Sequence, residues 1–141
     1  MFKKKIVLVE NLGSDFYSAR IRYALYLKSL NYDVSAIVPD DGFVDLIKSQ
    51  GINVFAVSNN IRGSGIINKF TYAKALVNIF RTNDFDIIHT YRLQPNIIAT
   101  FIAGILTRSK IVNHITGLGT AFNHSSVKYK SMQFVTRFLY R

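Results

Sequence analysis

The sequence predicts an α/β protein with a doubly wound parallel sheet. Five short runs rich in β-branched residues alternate with amphipathic, helix-like segments along the 141 residues. Four of the runs are nearly continuous in apolar residues, as expected for strands buried on both faces. Polar, glycine-bearing loops, 58–66 and 116–126, follow two of the runs. Ligands collect at the carboxyl ends of the strands in such sheets, so these loops are the first places to look for function.

The elements follow one another in a regular order. Strands are predicted at Ile6–Val9, Val34–Val38, Asn53–Val57, Asp86–His89 and Lys110–Ile115. Helices are predicted from about Asp15 to Leu30, Asp41 to Gln50, Ile66 to Arg81, Pro95 to Leu106, and from Val127 onward.

The ends of the helices carry recognisable signals. Ser14 or Asp15 is a suitable N-cap for the first helix. Asp40 or Asp41 would begin the second helix, and Gly51 would close it. Pro95 suits the first turn of the fourth.

Composition narrows the function classes. Apolar residues make up 49% and charged residues 18%, which excludes a disordered chain. The absence of cysteine excludes disulfides, thiolate metal sites and cysteine nucleophiles. The formal charge of +10 indicates an anionic partner: nucleic acid, an acidic lipid surface or a phosphate-bearing substrate.

Targeting signals are weak. The lysines at 3–5 resemble a signal n-region, but Glu10 ends the apolar run behind them too early for an h-region. The longest apolar stretch, Ile97 to Leu106, is about half of the roughly 20 residues needed to span a bilayer. We therefore expect a cytoplasmic protein that touches a membrane without crossing it.

Three places could carry chemistry, each with a structural alternative. The turn at Gly13 could bind a phosphate at a helix start, or be an ordinary turn, since it has neither a Gly-x-Gly-x-x-Gly nor a P-loop pattern. The loop Thr116–Gly119 could approach a ligand or simply be strained. His89 could be a base or anion ligand, or a satisfied polar residue at a strand end.

The sequence contains no pattern typical of a metal site or of a general acid–base pair. No metal spacing joins His89, His114 and His124, and no metal is predicted. Asp84 and Asp86 flank the turn into the fourth strand, a common structural position, and no pair of acids is placed for general acid–base work.

The last segment is basic and aromatic. Its cations are Lys128, Lys130, Arg137 and Arg141. Such a helix suits an anionic membrane surface. RNA binding is the alternative, but no nucleic-acid motif is present, and nucleic acid is not expected. The apolar face of this helix could instead pack on another domain.

Several motifs, taken in order, resemble a known family. Asp86-Ile87-Ile88-His89-Thr90-Tyr91 leading to Pro95-Asn96 is similar to a D-I-V-H-T-Y-x-x-K-P-N signature, and Thr116-Gly117-Leu118-Gly119 with Ala121-Phe122 to T-G-L-G-Y-x-F. The segment from Arg20 to Val34 matches L-A-x-x-L-x-x-x-G-H-x-V, with Asn31 in place of the glycine. The chain therefore resembles the N-terminal, Rossmann-like domain of a family-four retaining glycosyltransferase with the two-domain, type-B fold. Within it, the chain is closest to bacterial enzymes that extend lipid-linked sugars for capsule, O-antigen or glycoprotein glycans.

The resemblance implies an activity. The intact enzyme would transfer a sugar from a UDP-sugar to a polyprenyl-diphosphate-linked glycan with retention, without a metal or a further cofactor, at the inner membrane face.

It also implies roles for individual residues. Catalytic roles fall to Thr116 and His89; contact with the donor phosphates to Gly13, Ser14, Gly117 and Gly119; acceptor binding to Arg20, Tyr91, Gln94 and Asn96. Two of these depart from the family pattern, since Gln94 stands where the subgroup usually has lysine and Thr116 where many members have histidine.

The expected organisation is half of such an enzyme. Residues 1–126 would form the acceptor-side domain, and 127–141 the start of a helix toward a nucleotide-sugar domain, which a separate chain could supply. On this view the chain alone is inactive. The alternatives are a noncatalytic binding module that completes a split enzyme, and a relative of the nucleotide-sugar epimerases.

Overall fold

The fold is a five-stranded parallel sheet. The computed structural model describes residues 3–58 and 66–114, apart from the side chains of residues 93 and 94. The strands are β1 (Lys5–Val9), β2 (Asp33–Pro39), β3 (Asn53–Val57), β4 (Ile87–Tyr91) and β5 (Lys110–His114). All neighbours pair in parallel, in the order β3-β2-β1-β4-β5. The predicted doubly wound parallel sheet is confirmed.

Helices cover both faces of this sheet. They are α1 (Gly13–Asp15), a π-helical turn (Phe16–Arg20), α2 (Ile21–Ser29), α3 (Val44–Ser49), α4 (Ile66–Thr82) and α5 (Leu93–Leu106). The first helical segment predicted from the sequence is thus interrupted by a π-helical turn, a feature that often occurs at functional sites.

The central strand β1 is apolar at four consecutive residues because it is covered on both faces. In β1, Val7 and Val9 pack into the cluster under α4 and α5, whereas Ile6 and Leu8 pack into the cluster under α2 and α3. Because successive side chains of a strand point to opposite faces, only a strand that is covered on both sides needs four apolar residues in a row. Strand β5 lies at the edge, and its residues alternate between exposed and half-buried.

The predicted N-caps of the first two helices are wrong. Leu12 occupies the cap position of α1, with no side-chain cap bond. The amide of Gly13 donates instead to the carboxylate of Asp41, 2.9 Å away. Asp41 therefore serves a helix 28 residues earlier in the chain, and α3 begins only at Val44. A partner brought in by tertiary structure has replaced the local cap.

Other boundaries agree with the sequence or shift slightly. Gly51 has a φ of 76° after α3, and Asn31 takes the left-handed conformation after α2 with a φ of 69°. Strand β4 runs to Tyr91 rather than His89 because Tyr91 pairs with His114 of β5. Helix α5 begins at Leu93, two residues before Pro95. In the described ranges, no helix is long and apolar enough to cross a membrane.

Candidate functional site

The candidate site lies where the strand order reverses. Strand β1 pairs with β2 on one side and with β4 on the other. The connection after β1 therefore runs toward one edge of the sheet, and the connection after β4 runs toward the opposite edge. Such a point opens a crevice at the carboxyl ends of the strands. The residues that follow β1 and end β4 and β5 face this crevice.

Glu10, directly after β1, is a fully buried carboxylate. It lies between two arginines: its Oε1 is 3.1 Å from Nε of Arg92, and its Oε2 is 3.5 Å from Nε of Arg20. The amide of Asn11 also donates to Oε1, at 3.0 Å. Burial raises the pKa of Glu10 above its ordinary value, while the Asn11 amide and the two arginines act in the opposite direction. The arginines therefore compensate in part for burying this charge.

Arg92 has an unusual backbone. Its φ of 69° and ψ of 159° lie in a region that is otherwise almost confined to glycine. Its guanidinium also forms an ion pair with Asp15, at the end of α1. Two carboxylates thus hold a side chain whose backbone conformation costs on the order of 1–3 kcal/mol.

A small cleft opens beside this ion cluster. It has a volume of about 260 Å³ and is lined by Ala19, Arg20, Tyr23, His89, Tyr91 and His114. The guanidinium carbon of Arg20 lies 4.3 Å from the centre of the Tyr91 ring. The His89 ring stacks on Tyr91 at 4.4 Å, and Tyr23 meets His89 edge-on at 5.8 Å. The cleft therefore combines aromatic rings with a cation, a combination that binds polar ligands with an apolar face.

His89 is uncharged at neutral pH. Burial, with smaller contributions from His114 and Arg20, lowers its pKa to about 4. Its Nδ1 lies 3.3 Å from the hydroxyl of Tyr91, whose own pKa is raised, mainly by burial. A neutral imidazole can accept or donate a hydrogen bond to a ligand, but its low pKa makes it a weak base.

A largely buried polar network adjoins the strand ends that line the cleft. The hydroxyl of Thr90 lies 2.6 Å from the Oδ1 atoms of both Asn96 and Asn113. Asn96 donates through Nδ2 to the carbonyl of His114, at 3.2 Å, and Thr100 donates to Asn113 at 2.7 Å. This network ties α5 to the ends of β4 and β5.

The structure brings together three of the residues singled out from the sequence. Arg20, His89 and Tyr91 line one cleft. Asn96, expected on the acceptor side, does not line this cleft but is buried and hydrogen-bonded to Thr90. The predicted acceptor role of Asn96 stays a prediction.

The turn after β1 is more constrained than its sequence suggests. Gly13 is buried, and a Cβ at this position would lie 2.2 Å from Oδ1 of Asp41. Because the Gly13 amide already donates to Asp41, a phosphate at this turn would have to use other groups, such as the amide of Ser14. The predicted phosphate contacts of Gly13 and Ser14 stay predictions.

The remaining predicted site residues lie outside the described residues. These are Thr116, Gly117, Gly119, Lys128, Lys130, Arg137 and Arg141, together with the side chain of Gln94. The helix expected from Val127 lies outside them too. Within the described ranges, no group of three acidic or histidine side chains could hold a metal ion.

Sequence reasoning missed four residues of the site, namely Glu10, Tyr23, Arg92 and His114. Glu10 did leave a signal, since it is a lone acid that ends a wholly apolar strand in a chain with only 8 acids. Arg92 left none, because a positive φ at an arginine is not visible in the sequence.

The parallel sheet and the cleft at its carboxyl edge define a Rossmann-like α/β domain. The chain belongs to the Glycosyl transferase 4-like family, whose sequence profile matches residues 5–141. Among solved structures it is similar to MurG of Acinetobacter baumannii, with a TM-score of 0.61 and 13% sequence identity. That similarity covers 95% of this chain and 39% of the MurG chain, so this chain spans well under half of that protein. No curated protein matches the chain.

Proposed function

We propose that this chain is the acceptor-binding, N-terminal part of a glycosyltransferase. The complete enzyme transfers a sugar from a UDP-sugar to a polyprenyl-diphosphate-linked glycan with retention of configuration. Membership of the Glycosyl transferase 4-like family and the MurG-like fold support the general class. The motifs around His89 and Thr116 support the finer assignment to lipid-linked glycans of capsule, O-antigen or glycoprotein type.

The cleft beside β4 is the observation that carries this proposal. Aromatic rings of Tyr23, His89 and Tyr91 lie within one space with the guanidinium of Arg20. A sugar presents an apolar face of C–H groups and a rim of hydroxyls, so it can pack on the rings while its hydroxyls bond to the imidazole. A cationic guanidinium suits the phosphate groups that accompany a lipid-linked sugar.

The division of labour follows the family resemblance. Arg20, Tyr91, Gln94 and Asn96 serve the acceptor side, and Thr116 and His89 lie at the reaction centre. Gly13, Ser14, Gly117 and Gly119 face the donor phosphates. A neutral His89 fits a role in hydrogen bonding to a hydroxyl rather than one as a charged acid. The donor nucleotide binds mainly on a second domain.

We further propose that the protein works on the cytoplasmic face of the inner membrane. Helices α4 and α5 expose a large apolar surface: Ile66, Ile67 and Phe70 are 71–85% exposed, and Phe101 and Ile105 are 61% and 67% exposed. A groove of about 490 Å³ runs between the two helices, and Lys74 lines it. Apolar side chains beside lysines suit an anionic bilayer surface, where a lipid-linked acceptor resides.

A reconstituted transfer assay tests the enzymatic part. The chain is incubated with UDP-sugars and a short polyprenyl-diphosphate-linked sugar, alone and with a separately expressed C-terminal domain from a type-B glycosyltransferase of the same family. We expect transfer only with the second domain, and a loss of at least about tenfold in kcat/KM for Arg20→Ala, since a guanidinium–anion contact contributes about 1.5–3 kcal/mol. Arg22→Ala is the matched control, because Arg22 lies two residues away on the exposed side of α2.

The other outcomes separate the alternatives. Transfer by the lone chain contradicts its proposed dependence on a second domain. Conversion of a UDP-sugar without acceptor favours an epimerase, and acceptor binding without transfer under any condition favours a noncatalytic module.

Sedimentation with vesicles tests the membrane part. The chain should pellet with anionic vesicles at low salt, and Phe70→Ser should reduce the bound fraction severalfold. Tyr26→Ser is the control, because Tyr26 is 60% exposed on α2, a different helix. If the wild-type chain stays in the supernatant, or if both variants bind equally, the membrane proposal is wrong.

A further inference from the structure

The ion cluster of Glu10, Arg20 and Arg92 at the end of β1 costs stability. Glu10 is a fully buried carboxylate, and ion pairs compensate only in part for the free energy of removing such a charge from water. Its pairing with both arginines is also imperfect. Glu10 Oε2 and Arg20 Nε are 3.5 Å apart, and neither has a hydrogen-bond partner among the described residues. Nε of Arg92, 3.1 Å from Glu10 Oε1, has none there either. An apolar side chain at position 10 could be buried at the crevice without this cost. Stability alone therefore does not account for Glu10.

Glu10 connects two segments of the chain that are far apart in sequence. Arg20 comes from the π-helical turn and Arg92 from the turn between β4 and α5. Each presents its Nε to a different oxygen of the one carboxylate. A guanidinium has five N–H donors, so an arginine that is held through Nε keeps further donors for another partner.

The two arginines are also placed to meet a ligand. Arg20 lines the cleft and lies over the ring of Tyr91. The side chain of Arg92 is 42% exposed at the same edge of the sheet. Its backbone adopts the conformation usually reserved for glycine, and strain of this kind collects at functional sites.

We propose that Glu10 is the positioning residue for a pair of anion-binding arginines: its buried carboxylate fixes Arg20 and Arg92 at the crevice so that they bind a phosphate or carboxylate group of the ligand. This inference rests on the proposed function, which identifies the crevice as the substrate site. It adds that the two arginines bind the anionic part of that substrate. Asp15 supports Arg92 from the other side.

Glu10→Gln separates positioning from simple electrostatics. The substitution keeps the shape of the side chain and removes one negative charge beside the arginines. A purely electrostatic site would then bind anions more tightly. If Glu10 instead positions the arginines, the substitution should weaken anion binding. We expect the affinity for pyrophosphate to fall about tenfold, the effect of losing one charge-assisted contact. Asp45→Asn is the matched control, since it removes the charge of an exposed residue of α3 and should leave binding unchanged or slightly stronger.

Arg92→Gly provides the second variant. Glycine suits a φ of 69°, so the relief of backbone strain should offset part of the stability lost with the ion pairs of Arg92 to Glu10 and Asp15. We expect it, too, to bind pyrophosphate about tenfold more weakly. It keeps the proposal testable if Glu10→Gln fails to fold.

Calorimetric titration of the purified chain with pyrophosphate, glucuronate and glucose reads out all variants, with melting temperatures measured in parallel. Preference for pyrophosphate identifies a phosphate group as the ligand, and preference for glucuronate identifies a sugar carboxylate. The proposal is overturned if the wild type binds neither anion better than glucose, or if folded Glu10→Gln and Arg92→Gly bind as tightly as wild type. Binding requires no donor and no second domain, so this result and that of the transfer assay can differ.

Discussion

Replacement of Gly13 by alanine tests the bond that links the first helix to the turn after β2. A Cβ at this position would lie 2.2 Å from Oδ1 of Asp41 and 3.0 Å from Cβ of Phe43. Asp41 can rotate away, but it then gives up the 2.9 Å bond that it accepts from the Gly13 amide. Cβ of Phe43 cannot rotate away, because it is attached directly to the backbone.

The expected cost follows from these contacts. Loss of a hydrogen bond to a charged acceptor costs about 1.5–3 kcal/mol. Alanine returns about 0.4–1 kcal/mol by restricting the unfolded chain. The free energy of unfolding should therefore fall by about 1–2 kcal/mol. With a slope of about 2 kcal/mol per molar urea, the denaturation midpoint should drop by about 0.5–1 M.

Gly104→Ala is the matched control. Gly104 lies within α5, and a Cβ there would meet nothing within 4 Å. That substitution should stabilise the protein by about 0.5–1 kcal/mol, since alanine is a better helix former than glycine. In an Asp41→Ala background, the cost of Gly13→Ala should shrink. If Gly13→Ala matches wild type or Gly104→Ala in urea denaturation, the inferred constraint at this turn is refuted.

Substitutions at three further positions test other features. Tyr72→Phe should raise stability by about 1 kcal/mol in urea denaturation, because the buried Tyr72 hydroxyl has no hydrogen-bond partner among the described residues; lower stability would mean that the hydroxyl is satisfied. Asn31→Gly should stabilise the chain and Asn31→Ala destabilise it, each by about 1 kcal/mol, since the φ of 69° suits glycine best and alanine worst; equal melting temperatures would contradict this. For His89, the unfolded chain takes up a proton near pH 6.5 and the folded chain only near its pKa of about 4. Stability should therefore fall as the pH drops from about 6.5 to about 4, and less steeply in His89→Gln. Parallel pH profiles of the two proteins would show that His89 is not responsible.

The fold was largely predictable because its cause is local and repeated. Each buried parallel strand must be apolar on both faces, so runs such as Ile6–Val9 stand out from the amphipathic helices between them. The left-handed residue at Asn31 was also foreseeable from its place after a helix. The N-cap of the first helix was not, because its partner, Asp41, is supplied by the tertiary structure.

The site was predictable only where a strand end pointed to it. His89 and Tyr91 follow from the rule that ligands gather at the carboxyl ends of strands. The bridge from Glu10 to Arg92 joins residues far apart in the sequence, and it exists because β1 and β4 are neighbours in the sheet. Single residues gave no indication of that pairing. Only the strand order could have revealed it.

That strand order also has a consequence for folding. Strand β1 lies at the centre of the sheet, but Val7 pairs with Ile88, 81 residues further along the chain. Pairing of such distant segments is slow, because a long loop must be closed before any contact is gained. During synthesis, β1, β2 and β3 can associate first and leave one edge of β1 and its apolar side chains uncovered until β4 emerges. We infer that the chain is most prone to aggregation in this interval, and that the crevice with Glu10 and Arg92 is among the last parts of the molecule to form.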